Sequence, residues 1–150
     1  MPNAQTAWTN TLNGMPRVGD AATRDKTMSR RDIELFTEIS GDRNPLHFDE
    51  ALARASPFGG LIVQGGVTSG LLNALVAQDL PGPGSVFLGM ELSFSKAVYV
   101  GDTVTARLEI KSVREDKPIC KVEVSVSNHK GEVCLSGTAT TFTVALKGGT

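Results

Sequence analysis

Gly65-Gly66-Val67-Thr68-Ser69-Gly70-Leu71-Leu72-Asn73-Ala74-Leu75-Val76-Ala77-Gln78-Asp79-Leu80 is the longest helical candidate in the chain, and Pro81-Gly82-Pro83-Gly84 stops it. Val67, Leu71, Leu72, Leu75 and Val76 cover so much of its circumference that the helix has to be buried. Ser69 and Asn73, four apart, leave one narrow polar stripe. That stripe either satisfies neighbouring backbone or faces a ligand cavity. A buried helix needs a cover, and the rest of the chain supplies it as strands.

From Ser85 onward the pattern has period two. Met90, Leu92 and Phe94 alternate with Glu91, Ser93 and Ser95; Val104, Ala106, Leu108 and Ile110 alternate with Thr105, Arg107 and Glu109; Val122, Val124 and Val126 alternate with Lys121, Glu123 and Ser125. Val133 to Val144 is a further strand, rich in threonine. Glu115-Asp116-Lys117-Pro118 and Asn128-His129-Lys130-Gly131 read as hairpin turns. A meander with one polar face needs an apolar partner on the other, and the buried helix is the candidate. The fold class is therefore α+β: an antiparallel sheet curled around one long central helix.

The first half of the chain is shorter in its elements. Met1 to Arg17 is polar and aperiodic, a loose arm whose docking point is Trp8. Val18-Gly19-Asp20 is a turn, and Ala21 to Met28 a short strand. Ser29 with Asp32 has capping-box spacing and starts a helix with Ile33, Phe36 and Ile39 on its apolar face; Gly41 ends it. Asp49 caps a second short helix, Glu50 to Ala55, which Ser56-Pro57 stops.

A chain of 150 residues suits a single domain, 1–150. Its 15 basic and 16 acidic residues nearly cancel, which gives no reason to expect nucleic acid or an anionic membrane as partner. No apolar run is long enough to span a bilayer, and the N-terminus lacks the pattern of a secretory signal. Two cysteines, Cys120 and Cys134, are too few for a disulfide framework and lack metal-ligand spacing, so a reduced, cytoplasmic location is the default.

Chemistry concentrates in Ser40-Gly41-Asp42-Arg43-Asn44-Pro45-Leu46-His47. Gly41, Asn44 and Pro45 are turn formers, so Asp42 and His47 are expected on a loop and not within a helix. Pro45 fixes its own φ and pushes Asn44 towards extended backbone, which stiffens that loop. A carboxylate and an imidazole held on a stiff loop can serve as an acid and a base over one substrate.

With Asp49, Phe58, Ile62-Val63 and Gly65 downstream, this stretch resembles the hydratase motif of the MaoC-like dehydratase family. Leu88-Gly89, Leu92-Ser93-Phe94 and Val100-Gly101-Asp102 are similar to later segments of (R)-specific enoyl-CoA hydratases. The resemblance implies a hot-dog fold, with Asp42 and His47 as the catalytic pair, Asn44 helping to hold the site, and the Gly65 N–H donated to a thioester oxygen. It departs at Gln64, where many members carry histidine, and at Asn73, where some have a serine lining the site. It further implies hydration of trans-2-enoyl thioesters to the (R)-3-hydroxyacyl product, with no metal or redox cofactor. Coenzyme A or an acyl carrier protein carries the acyl chain. The resembled fold pairs its sheets edge to edge, so a homodimer or higher homo-oligomer is expected. A thioesterase of the same fold and a non-catalytic acyl-CoA-binding module are the alternative readings.

Other candidates weigh less. His129 lies in a turn and reads as solvated; Asp20, Asp49 and Asp102 read as turn or cap residues; Lys96 is a candidate for a CoA phosphate. If Asn128 to Gly131 is the turn, Cys120 lies opposite Ala139 and Cys134 opposite Ser125, too far apart along the strands for a disulfide.

Overall fold

The computed structural model describes residues 6–146. Five strands, β1 (Ala21–Thr27), β2 (Ser85–Phe94), β3 (Thr103–Val113), β4 (Ile119–Ser127) and β5 (Val133–Thr143), form one sheet in the order β1-β3-β4-β5-β2. Every neighbouring pair is antiparallel. Four α-helices, α1 (Arg30–Ser40), α2 (Pro45–Phe48), α3 (Glu50–Ala55) and α4 (Gly65–Ala74), lie between β1 and β2. This is the hot-dog architecture, an α+β fold in which the sheet curls around α4.

The alternating residues do what their period requires. Val104, Ala106, Leu108 and Ile110 on β3 and Val122, Val124 and Val126 on β4 are buried. They join Leu72, Leu75 and Val76 from the central helix in one core cluster. The helix runs on as a π-helical turn, Leu75–Asp79, in which the Leu80 N–H reaches back to the Leu75 carbonyl. Its burial is half of what the sequence led us to expect. Thr68, Leu72, Leu75 and Val76 are inside, whereas Asn73, Gln78 and Asp79 are exposed, because the sheet covers one side only.

Strand β2 is an edge and carries the second departure. Met90, Leu92 and Phe94 pair with Ala139, Gly137 and Leu135, which puts them on the inner face as their alternation requires. Yet Met90 is 44% and Phe94 58% exposed, since an edge strand has no further strand beside it to complete their cover. The register slips between Phe87 and Gly89, and Val86 and Leu88 also face solvent.

Helix α1 begins with the capping box foreseen at Ser29 and Asp32 and ends at Gly41, whose φ of 79° suits glycine. Its inner face differs from the expected one. Ile39 is 83% exposed and Thr37 is buried, because the residue one turn after Ile33 is 37. Phe36 lies over Gly66 of α4, and a Cβ at Gly66 would stand 2.0 Å from Phe36 Cζ.

The arm is docked, not loose, from Thr6 onward. Trp8 is buried and its Nε1–H donates to the Arg114 carbonyl at 2.6 Å; the Ala7 N–H donates to the Glu115 carbonyl at 3.0 Å. The far end of the chain joins it, with the Leu146 N–H on the Asn10 carbonyl. Residues 1–5 of the expected arm lie outside the described residues.

The β4–β5 register also departs from the simple hairpin. Cys120 faces Thr141, not Ala139, and Ser125 faces Ser136, not Cys134. The connection is longer than the four turn residues: the Asn128 N–H bonds to the Glu132 carbonyl, and the pairing is irregular after Val126. Val126 pairs with Leu135 and Ser127 with Val133, which leaves Cys134 as the extra residue of a bulge. Both cysteines are free and buried.

Two outcomes follow for stability. Trp8→Ala removes a buried ring and its hydrogen bond, and urea unfolding should show a loss of about 3–5 kcal/mol. Burial pushes the Cys120 thiol up from 9.0 to about 11, so the folded state favours the neutral form. That contribution is complete below the unfolded pKa and is lost as pH rises from about 9 towards 11. The unfolding midpoint should therefore fall over this range, less steeply in Cys120→Ala. Thiol titration should find two thiols per chain after denaturation and essentially none before it.

Candidate active site

The site is built from two successive Asx turns. After Gly41, Asp42 Oδ1 accepts the Asn44 N–H at 3.1 Å, and Asn44 Oδ1 accepts the Leu46 N–H at 3.1 Å. Asn44 is thereby the N-cap of α2, with Pro45 in the first helical position where a missing N–H costs nothing. His47 is therefore within a one-turn helix and not on the loop that its neighbours suggested; Asp42 is on the loop.

Burial separates the two side chains. His47 is 8% exposed and Asp42 38%. His47 Nδ1 lies 2.7 Å from the Ile62 carbonyl, an acceptor, so Nδ1 carries a proton and Nε2 points to the site. Nε2 stands 3.6 Å from Asp42 Oδ2. This is too long for a direct hydrogen bond and short enough for both atoms to hold one water.

Ile62 belongs to a connector pinned on both sides. Its N–H bonds to the Leu46 carbonyl, it bridges to Tyr99, and the Val63 N–H donates to the Val98 carbonyl at 2.8 Å. Gln64 is the N-cap of α4 but makes no side-chain capping bond. Its amide is 2% exposed and turned into the protein, where Nε2 donates to the Ile33 carbonyl at 3.2 Å and to Thr37 Oγ1 at 3.0 Å. Gln64 thus does not reach the cavity. The N–H groups of Gly65 and Gly66 consequently meet no acceptor among the described residues, at the positive end of the helix dipole.

Gly65 opens onto a cavity of about 370 Å³, lined also by Phe58, Ile62, Thr68, Phe94 and Cys134. The Phe94 ring is so close that a Cβ on Gly65 would stand 2.9 Å from Cε1. Asp42 and His47 are not in this wall; Ile62 links them to it, with its carbonyl on His47 and the residue itself lining the cavity. A larger hollow, about 550 Å³, lies over the strands at Gly89, Lys111 and Thr138 and holds neither member of the pair.

The polar stripe on α4 is divided. Ser69 Oγ turns back to the Gly66 carbonyl, and Asn73 lines a separate groove with Leu35, Ile39 and Gly70. Thr68, which the sequence reading passed over, is the buried polar residue that lines the Gly65 cavity. Its signal was its place one turn after Gly65. Thr37 was missed as well; a polar residue one turn after Ile33 was the available clue. Lys96 at the cavity rim is ion-paired with Glu132, and that hydrogen bond raises its pKa. Asp49 caps α3, while Asp20 and Asp102 accept backbone N–H groups in turns, as their sequence context implied. Among the described residues, no three His, Cys, Asp or Glu side chains are grouped to hold a metal, and no helix is long and apolar enough to cross a membrane.

The chain is similar to known proteins. The model of the MaoC-like domain matches residues 16–131. The (R)-specific enoyl-CoA hydratase of Aeromonas caviae is 39% identical over 122 residues, covering 81% of this chain and 91% of that protein. The mitochondrial 3-hydroxyacyl-(acyl-carrier-protein) dehydratase of Arabidopsis thaliana is 32% identical over 127 residues, 83% of this chain and 75% of that one. Among solved structures, the (R)-hydratase from A. caviae involved in PHA biosynthesis superposes with a TM-score of 0.83 at 37% identity, covering 86% of this chain and 98% of that chain.

Proposed function

The chain belongs to the MaoC-like domain family, and on that premise we propose that it is an (R)-specific enoyl-CoA hydratase. The reaction adds water to a trans-2-enoyl thioester and gives the (R)-3-hydroxyacyl thioester. The observation that carries this reading is the 3.6 Å approach of His47 Nε2 to Asp42 Oδ2, beside a helix start whose N–H groups are unspent.

Water held between the two side chains loses a proton to the Asp42 carboxylate as its oxygen bonds to C3. The protonated His47 ring keeps Nδ1–H on the Ile62 carbonyl and delivers the Nε2 proton to C2. Both act from one face, so the addition is syn. Asp42 then returns its proton to His47, and the pair is restored. Negative charge that develops on the thioester oxygen meets the Gly65 N–H and the α4 dipole. Glycine at that position lets the thioester approach the backbone closely. Coenzyme A or the pantetheine arm of an acyl carrier protein presents the chain, and the chemistry calls for no metal or redox group. The two free, buried thiols suit a reducing cytoplasm.

The protein works as a homodimer in this reading. The β2 edge exposes Val86, Leu88, Met90 and Phe94, an apolar strand that needs a partner. Light scattering at micromolar concentration should give twice the chain mass; a monomer mass would contradict the dimer.

Crotonyl-CoA and a longer homologue test the activity. Enoyl-thioester absorbance should fall and chiral analysis should return the (R) product. An (S) product or no turnover across short and medium chains would overturn the hydratase reading, and release of free thiol would indicate a thioesterase. Asp42→Asn and His47→Ala should each lower kcat by about 10²–10⁴-fold with the circular dichroism spectrum unchanged.

A further inference from the structure

We propose that Gln64 and Thr37 are positioning residues for Asp42. Gln64 spends both amide hydrogens inside the protein, one on the Ile33 carbonyl and one on Thr37 Oγ1. Thr37 Oγ1 passes the restraint on, donating its own hydrogen to the Asp42 main-chain carbonyl at 2.8 Å. Gln64 and Thr37 are both buried, so water does not compete for these bonds. The relay runs from the N-cap of α4, across α1, to the backbone of the residue that takes the proton.

Two restraints therefore leave the same connector. The Ile62 carbonyl holds the His47 ring, and Gln64, two residues on, holds Asp42 through Thr37. The next residue is Gly65, whose N–H faces the reacting oxygen in the hydratase reading. Acid, base and oxyanion donor are thus referred to three points within residues 62–65, and relative placement is what sets the rate once binding is complete.

Stability alone does not account for the amide. Gln64 Oε1 is buried and meets no hydrogen-bond partner among the described residues, which destabilises the folded state. A side chain of similar length without the amide, such as methionine, fills the same space and leaves no such orphan. The Ile33 carbonyl and Asp42 carbonyl are the fixed points that the amide and the hydroxyl connect. Direction, not cohesion, is what this pair supplies.

This inference rests on the hydratase reading, because it assigns the pair's purpose to Asp42. Thr37→Val, Thr37→Ser, Gln64→Met and the Thr37→Val/Gln64→Met double variant test it with crotonyl-CoA. Thr37→Val should lower kcat about ten- to a hundredfold, with KM within about twofold because the relay places Asp42 for the transition state and does not touch bound substrate. Thr37→Ser, which keeps the hydroxyl, should recover most of that loss. Gln64→Met should lose kcat in the same direction with its thermal midpoint close to that of the wild type. The double variant should be no slower than Thr37→Val, because both act through one relay. In substrate-free protein, the Asp42 carbonyl resonance should move in Thr37→Val and in Gln64→Met. An unchanged kcat in folded Thr37→Val, losses that multiply, or losses that track unfolding would overturn the proposal. If Thr37→Val does not fold, Gln64→Met decides by the same criteria. A wild type without hydratase activity would remove the hydratase reading; the relay itself then falls if the Asp42 resonance is the same in all variants.

Discussion

A helix buried along one side and uncapped at its start is the constraint on which this structure depends. Leu72, Leu75 and Val76 bind α4 to the sheet, and their burial fixes where its first residue stands. An ordinary N-cap side chain would take up one of the free donors there, the N–H of the second or third helical residue. Gln64 occupies the N-cap and turns its amide towards α1. The first turn is thereby left with donors that meet no acceptor among the described residues and are open to a ligand. Stability at the helix start is exchanged for a fixed positive end directed at the cavity.

The reacting pair is held by main-chain oxygens more than by its own contact. His47 is referred to the Ile62 carbonyl, and Asp42 is held through its own carbonyl and through the Asn44 N–H. Each side chain keeps its remaining polar atom for the site. The unequal exposure of the two follows from this arrangement: the ring is wedged against the connector, and the carboxylate stays on the loop. Groups supported in this way need little reorganisation when charge moves between them.

The sheet, the central helix and the caps were legible in the sequence because each is a local pattern. Period two gave β3 and β4, a single apolar run gave α4, and Ser29 with Asp32 gave the start of α1. The Asp42–His47 approach was legible because its two members are close in sequence. What stayed hidden depends on distant partners. Gln64 reads as a site residue until Thr37, 27 positions away, is seen to take its amide. Trp8 reads as part of a loose arm until it meets Arg114, 106 positions on. The bulge at Cys134 displaced the β4–β5 register, since a turn estimated from residue types does not count an extra residue. Phe94 was read correctly as facing inward, but a single strand's alternation cannot reveal how little of its ring the start of α4 covers.

The seat of Phe36 on Gly66 sets an order in which the sequence can drift. A side chain at 66 has no room while the ring at 36 is in place, so that substitution is closed to the present sequence unless the ring is displaced. Replacing Phe36 by a smaller residue leaves a hollow between α1 and α4, a loss that a stable protein can absorb. The easier path has 36 changing first. Descendants that keep the phenylalanine inherit the glycine with it, whatever becomes of their substrate.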